Sequence, residues 1–120
     1  MPISYEIDPN RRLVTTSMTG IVTDDDVHDQ RRTLRADPLF DPGYRQLIDL
    51  TGITEPRVTS AAVMGAANDQ YFTPGVRRAF LAATDATFGL ARMFALRTEG
   101  KGQTIEVFRD RKKAEEWLGI

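Results

Sequence analysis

The sequence contains no cysteine. This excludes disulfides, thiol nucleophiles and thiolate metal sites together. It has one histidine, His28, and no Gly-x-Ser-x-Gly elbow that would expose a serine nucleophile. The carboxylates near His28 in sequence, Asp24, Asp25 and Asp29, are neighbours on one predicted helix, so we interpret His28 as a solvated residue. We predict that the protein is not an enzyme and has no catalytic residue.

The sequence also lacks an excess of one charge and any long apolar run. Sixteen basic and seventeen acidic residues give a formal charge of −1, so no strong field attracts nucleic acid. No apolar stretch is long enough to span a bilayer. The N-terminus, Met1-Pro2-Ile3-Ser4, lacks the basic and apolar regions of a signal peptide. We expect a cytoplasmic protein with no nucleic-acid partner and no transmembrane segment.

What is present is an ordinary globular composition. The chain has 120 residues, of which 41% are hydrophobic and 28% are charged. This is enough to bury a core without a metal or a cross-link. We therefore expect one α/β domain over residues 1–120, with no cofactor and no metal.

The first twenty residues have the pattern of a β-hairpin. Ile3, Tyr5 and Ile7 alternate with polar residues, which is the period of a half-buried strand. Asp8-Pro9-Asn10 is typical of a turn. Residues 12–20 are rich in β-branched side chains and predict a second strand, antiparallel to the first.

The remaining chain alternates helices with strands. Thr23 precedes Asp24-Asp25-Asp26, a helix start whose helix runs to about Ala36. Further strands are predicted at residues 46–50, 78–83 and 104–108. Further helices are predicted after Thr59-Ser60, Asp85 and Asp110. The order ββαβαβαβα implies a mixed, mostly parallel five-stranded sheet with a leading antiparallel hairpin and about four helices.

One segment carries a family resemblance. Leu47-Ile48-Asp49-Leu50-Thr51-Gly52-Ile53-Thr54 resembles the Asp-Leu-Ser-Gly-Val signature of STAS domains. The chain is more closely similar to the bacterial SpoIIAA-like proteins, also described as STAS/SEC14-like. Their opening hairpin, a segment like Phe88-Gly89-Leu90-Ala91-Arg92-Met93-Phe94 and a terminal helix ending like Trp117-Leu118 occur here in the same order.

This resemblance implies a regulatory or binding module that acts through a protein partner or self-association. Classical members are switched by phosphorylation of a serine at the start of the second helix. When the family's signature is aligned at Asp49, its Asp-Ser pair falls on Arg57 and Val58. Thr59 and Ser60 follow directly. We expect residues 51–60 to form a loop at the carboxyl end of a strand.

The candidate partner or switch surface consists of Thr51, Thr54, Thr59 and Ser60. The alternative for Thr59 and Ser60 is an ordinary helix cap, a position that favours serine and threonine.

A second hypothesis is a carrier of a small apolar or lipid-like ligand. The candidate pocket, between the second and third helices, is formed by Met64, Tyr71, Phe88, Arg92 and Met93. Methionine and aromatic side chains adapt to irregular ligands, and Arg92 would bind an acidic headgroup. The alternative is plain core packing, with Arg92 extending its charged end to water.

Acidic residues suggest two further sites. Asp24-Asp25-Asp26 suggests a metal site, but adjacent helical residues point in different directions and cannot converge on one ion. We interpret these residues as an acidic first turn of a helix. A carboxylate pair such as Asp49 with Asp85, at the ends of adjacent strands, would be needed for a hydrolase or transferase, and nothing in the sequence indicates a raised pKa or water exclusion there.

Overall fold

The computed structural model of the protein describes residues 2–120, and over this range the chain forms five strands and four helices. The elements are β1 (Ile3–Asp8), β2 (Leu13–Thr23), α1 (Asp24–Ala36), β3 (Arg45–Arg57), α2 (Ser60–Asn68), β4 (Arg77–Leu81), α3 (Asp85–Arg97), β5 (Thr104–Phe108) and α4 (Arg111–Leu118). The predicted ββαβαβαβα order is confirmed.

The strands form one sheet in the order β1-β2-β3-β4-β5. β1 is antiparallel to β2, and the other neighbouring pairs are parallel. The hairpin turn is fixed by Asp8, whose carboxylate accepts the backbone N–H groups of Asn10 and Arg11 at 3.0 and 3.2 Å. The predicted mixed sheet with a leading hairpin is therefore confirmed.

The predicted loop at residues 51–60 is wrong, because β3 continues to Arg57. Its second half pairs in parallel with the end of β2 across two register shifts. Gly52 permits this approach, since a Cβ atom there would lie 2.7 Å from Cγ2 of Thr19. Pro56 is tolerated because β4 pairs with β3 only as far as Asp49, which leaves the rest of β3 as an edge strand on that side.

The two faces of the sheet are covered differently. One, which we call the α4 face, carries Leu47, Ala79 and Leu81 and packs against Ala114 and Leu118 of α4. The other, which we call the cavity face, is covered by α1, α2 and α3, through buried residues such as Leu34, Val63 and Ala91. Alternation along each strand assigns neighbouring residues to opposite faces, so Leu47 and Ile48 belong to different cores.

Threonine and aspartate caps set the beginnings of the helices. Thr23 and Asp26 form a reciprocal capping box at α1, and Thr59 caps α2 by accepting the N–H of Ala62 at 3.2 Å. α2 ends at Asn68, so Tyr71 lies beyond the helix on which the sequence pattern places it. Within residues 2–120, no helix is both long and apolar enough to cross a membrane.

Candidate functional site

A cavity of about 120 Å³ lies between the cavity face of the sheet and helices α1, α2 and α3. Most of its wall is apolar. The apolar lining comes from β2 and β3 (Met18, Val22, Ile48, Leu50, Ile53, Pro56), from the helices (Val27, Ala62, Val63, Ala66, Leu90, Ala91, Phe94) and from Val58 and Phe80. Side chains of the sheet and of all three helices therefore border one space.

A row of polar side chains crosses the sheet beneath this cavity. Thr16, Gln46 and Arg78 belong to β2, β3 and β4, and all three are buried. Nε2 of Gln46 donates to Oγ1 of Thr16 at 3.0 Å, and Nε of Arg78 donates to Oε1 of Gln46 at 3.1 Å. Nη1 of Arg78 donates to Oε1 of Gln70, also at 3.1 Å. We call these four residues the polar row.

Arg78 is the unusual member of the polar row, because it is a charged residue with only 3% of its surface exposed. Both hydrogen-bond acceptors that the structure gives it are neutral amides. Its guanidinium carbon lies 4.1 Å from the ring centroid of Phe72 and 5.7 Å from that of Phe94. Within residues 2–120, no carboxylate lies within salt-bridge distance of it. Burial lowers the pKa of Arg78 to about 10, which leaves it cationic at neutral pH.

A second arginine, Arg31 of α1, also lines the cavity. Arg31 differs from Arg78 because it has an acidic partner. Its Nη2 atom donates to the backbone oxygen of Asp69 and lies 3.7 Å from the carboxylate of the same residue. Its guanidinium stacks 4.9 Å from the ring centroid of Tyr71, another lining residue. Burial lowers the pKa of Arg31 and raises that of Tyr71.

Gln30, one residue before Arg31, also lines the cavity. Its Nε2 atom is buried and has no hydrogen-bond partner within residues 2–120. Buried amide groups normally find a partner, and a missing one costs about 1–3 kcal/mol. Within residues 2–120, the side chains that line the cavity therefore include one buried amide donor without a partner.

The candidate pocket residues from the sequence occupy different places. Tyr71 lines the cavity. Met64 is exposed, whereas Phe88 and Met93 pack into the clusters on either side of α3. Arg92 is exposed on α3 and does not line the cavity. The cations that line the cavity are Arg31 and Arg78.

The candidate partner or switch residues, Thr51, Thr54, Thr59 and Ser60, are all exposed. Thr59 is held from both sides, because its N–H and hydroxyl donate to the carboxylate of Asp24 at 2.8 and 2.7 Å while its oxygen accepts from Ala62. Thr51 donates its N–H and hydroxyl to Asp49 at 2.8 and 2.6 Å. A protein-binding role for these residues stays a prediction.

The acidic candidates have structural partners. Asp49 binds Arg111 at 2.6 Å, and Asp85 binds Arg109 at 2.7 Å. Asp26 accepts the hydroxyl and the N–H of Thr23 at 2.9 Å each. Within residues 2–120, no cluster of His, Cys, Asp and Glu is arranged to hold a metal ion. These carboxylates fasten elements to one another.

A sequence signal for Arg78 did exist. β4 has the sequence Arg-Arg-Ala-Phe-Leu, and period-two alternation places Arg78 on the same face as Phe80. A cation on an inward face of a central strand is rare unless it is paired. Arg78 was not among the predicted site residues, although this pattern distinguishes it from Arg77.

No protein-family model matches the sequence, and no curated protein matches it. Among solved structures, the chain is similar to an uncharacterized protein from the DUF3478 family, with a SpoIIAA-like fold, from Shewanella loihica PV-4. The TM-score is 0.62 at 18% identity, over 97% of this chain and 93% of that chain. At this identity the likeness concerns the fold alone, and it confirms the predicted SpoIIAA-like fold.

Proposed function

We propose that the protein is a non-enzymatic binding module that holds a small, predominantly apolar molecule in the cavity beneath α1, α2 and α3. The observation that carries this proposal is the cavity itself, about 120 Å³ in volume and walled by aliphatic and aromatic side chains. Protein interiors are normally packed with few voids larger than a water molecule.

The volume sets the size of the ligand. An engineered cavity of about 150 Å³ in another protein binds benzene. A cavity of about 120 Å³ is therefore matched to one aromatic ring or a short branched chain. A two-chain lipid would require the helices to separate.

The route into the cavity is the groove between α1 and α2. Val27, Arg31, Ala62 and Ala66 line both the cavity and an open groove on the surface. The two helices are joined across this groove by polar contacts, Asp24 with Thr59 at one end and Arg31 with Asp69 at the other. The Asp24–Thr59 hydrogen bonds are exposed and contribute about 0.5–1.5 kcal/mol each. The Arg31 side chain is only 13% exposed, so the groove opens most easily at the Asp24 end.

The test uses benzyl alcohol, a neutral one-ring probe, and the wild-type protein. Titration followed by two-dimensional NMR should shift the amide resonances of lining residues such as Leu50, Ala91 and Phe94 in a saturable manner. Resonances of α4 should not move, because that helix packs on the opposite face. Native mass spectrometry of protein purified from cells should in addition reveal a bound small molecule.

Two matched variants locate the binding. Ala66→Leu places a branched side chain at the cavity wall and should abolish the shifts. Ala61→Leu makes the same substitution on an exposed position of the same helix and should leave them unchanged. Wild-type protein that gives no saturable shifts, or equal binding by both variants, would exclude a ligand function for this cavity.

A further inference from the structure

We infer that the ligand of this cavity is a small lipophilic carboxylate whose carboxylate group binds Arg78. This inference rests on the proposed function, since it names the chemical class of the molecule that the cavity holds. Its basis is the combination of an apolar wall with one buried cation and a surplus of hydrogen-bond donors.

The charge of Arg78 is the first step. Buried charges in proteins are paired or hydrogen-bonded, because an unpaired ion loses its hydration without compensation. Arg78 has amide oxygens from Gln46 and Gln70 as its acceptors and the faces of Phe72 and Phe94 as neighbours. These groups carry no net charge. An anion in the cavity would supply the missing charge.

The donors are the second step. A guanidinium has five N–H groups, and the structure assigns two of those of Arg78 to the polar row. The buried Nε2 atom of Gln30 adds a further donor without a partner within residues 2–120. The oxygens of Gln46 and Gln70 are already used by Arg78. An ionised carboxylate fits this arrangement, because it accepts hydrogen bonds and donates none.

The number of charges separates a carboxylate from a phosphate monoester. The other cation of the cavity, Arg31, lies 3.7 Å from the carboxylate of Asp69, which it shares with Arg35 at 2.6 Å. Within residues 2–120, Arg78 is the lining cation with no carboxylate beside it, and a single negative charge matches it. A phosphate monoester carries about −1.5 to −2 charges at neutral pH, which is more than Arg78 alone neutralises.

The experiment compares three probes with the same ring: benzoate, benzyl alcohol and phenyl phosphate. Each is titrated into wild-type protein at pH 7 by isothermal titration calorimetry, with NMR as a second readout for weak binding. We expect benzoate to bind about tenfold or more tightly than benzyl alcohol, which corresponds to about 1.4 kcal/mol. Phenyl phosphate should bind more weakly than benzoate.

Two variants assign the preference to a residue. Arg78→Met keeps the length and volume of the side chain approximately and removes its charge. It should weaken benzoate by about tenfold or more and thereby abolish the preference for benzoate over benzyl alcohol. Arg92→Met removes an exposed arginine from the same side of the sheet and should alter neither affinity. If Arg78→Met does not fold, Arg78→Lys replaces it, and its benzoate preference should be reduced and not abolished, since the charge remains and the fork geometry is lost.

The outcomes distinguish this inference from the proposed function. Equal wild-type affinities for benzoate and benzyl alcohol would overturn the carboxylate assignment and leave the ligand function intact. Tighter binding of phenyl phosphate would replace carboxylate by phosphate as the headgroup. Binding of none of the three would overturn both proposals.

Discussion

The α4 face and the cavity face of this protein belong to the same sheet, yet they are built by opposite means. On the α4 face, one short helix lies directly on the strands, and Leu47, Ala79 and Leu81 meet Ala114 and Leu118 without a polar group between them. On the cavity face, three helices enclose a void, and the strands beneath it carry Thr16, Gln46 and Arg78.

A small domain needs both a stable core and a place to bind, and the two faces differ in how they contribute to each. Dense apolar packing on one face provides stability in proportion to the surface that it removes from water. The cavity face also carries buried apolar clusters, but its cavity leaves part of that side unfilled and its strands bury polar side chains. We therefore interpret the cavity face as the place of binding.

The largest expected effect comes from shortening a leucine on each face. Leu47 and Leu50 are both buried on β3 but face opposite sides. Leu47→Ala should lower the free energy of unfolding by about 3–4 kcal/mol, because it opens a cavity in a packed cluster. Leu50→Ala should cost about 2 kcal/mol, because part of its surroundings is already empty. Urea denaturation followed by circular dichroism measures both, and a larger loss for Leu50→Ala would contradict the comparison.

Small-to-large substitution should also destabilise the α4 face more than the cavity face. Ala114 of α4 and Ala91 of α3 are both buried, and only Ala91 lines the cavity. Ala114→Val should destabilise by about 1–3 kcal/mol through overpacking. Ala91→Val should cost less than about 1 kcal/mol, since the added methyl groups enter empty space. Both variants place a β-branched residue in a helix. The helix-propensity cost of about 0.5 kcal/mol is therefore the same for both and cancels when the two losses are compared. Equal losses would show that the void gives no room at Ala91.

The elements of the fold were predictable because their signals are local. The box of Thr23 with Asp26 and the turn at Asp8 use residues a few positions apart, and such signals survive in the sequence. The extension of β3 beyond Gly52 was not predictable, because it depends on pairing with β2 about thirty residues away across two irregularities. Pro56 argues against a strand when the sequence is considered alone. In the structure it lies on the side of β3 where β4 has already ended.

The residues that line the cavity were harder to predict than the existence of a pocket. In α3 the buried positions are Thr87, Ala91 and Phe94, and Arg92 is one residue out of phase with them. Arg92 is therefore close to Phe88 and Phe94 in the sequence but does not lie on the buried side of the helix with Phe94. The partners of Arg78, Gln46 on β3 and Gln70 after α2, are tertiary contacts that the sequence of β4 alone does not contain.

The smallest expected effect concerns the edge of the cavity face, where polar contacts replace packing. The hydroxyl of Tyr5 on β1 donates to the carboxylate of Asp37 at the end of α1, at 2.7 Å. This hydrogen bond raises the pKa of Tyr5 to about 12 and lowers that of Asp37. Tyr5→Phe should reduce stability slightly, because it removes the bond that fastens α1 to the hairpin.

The pH dependence of that loss follows from the two pKa shifts. A lowered Asp37 pKa means that its contribution is present above its ordinary value of 3.8 and is lost as pH falls through the folded-state value. A raised Tyr5 pKa means that its contribution is complete below 10.0 and is lost as pH rises toward about 12. The difference in unfolding free energy between wild type and Tyr5→Phe should therefore be level between roughly pH 5 and pH 9 and shrink on both sides.

Tyr44→Phe is the matched control, since Tyr44 packs in the same cluster and the structure gives it no side-chain hydrogen bond within residues 2–120. A pH-independent difference for Tyr5→Phe would mean that α1 is held by packing at this edge, as α4 is on the opposite face.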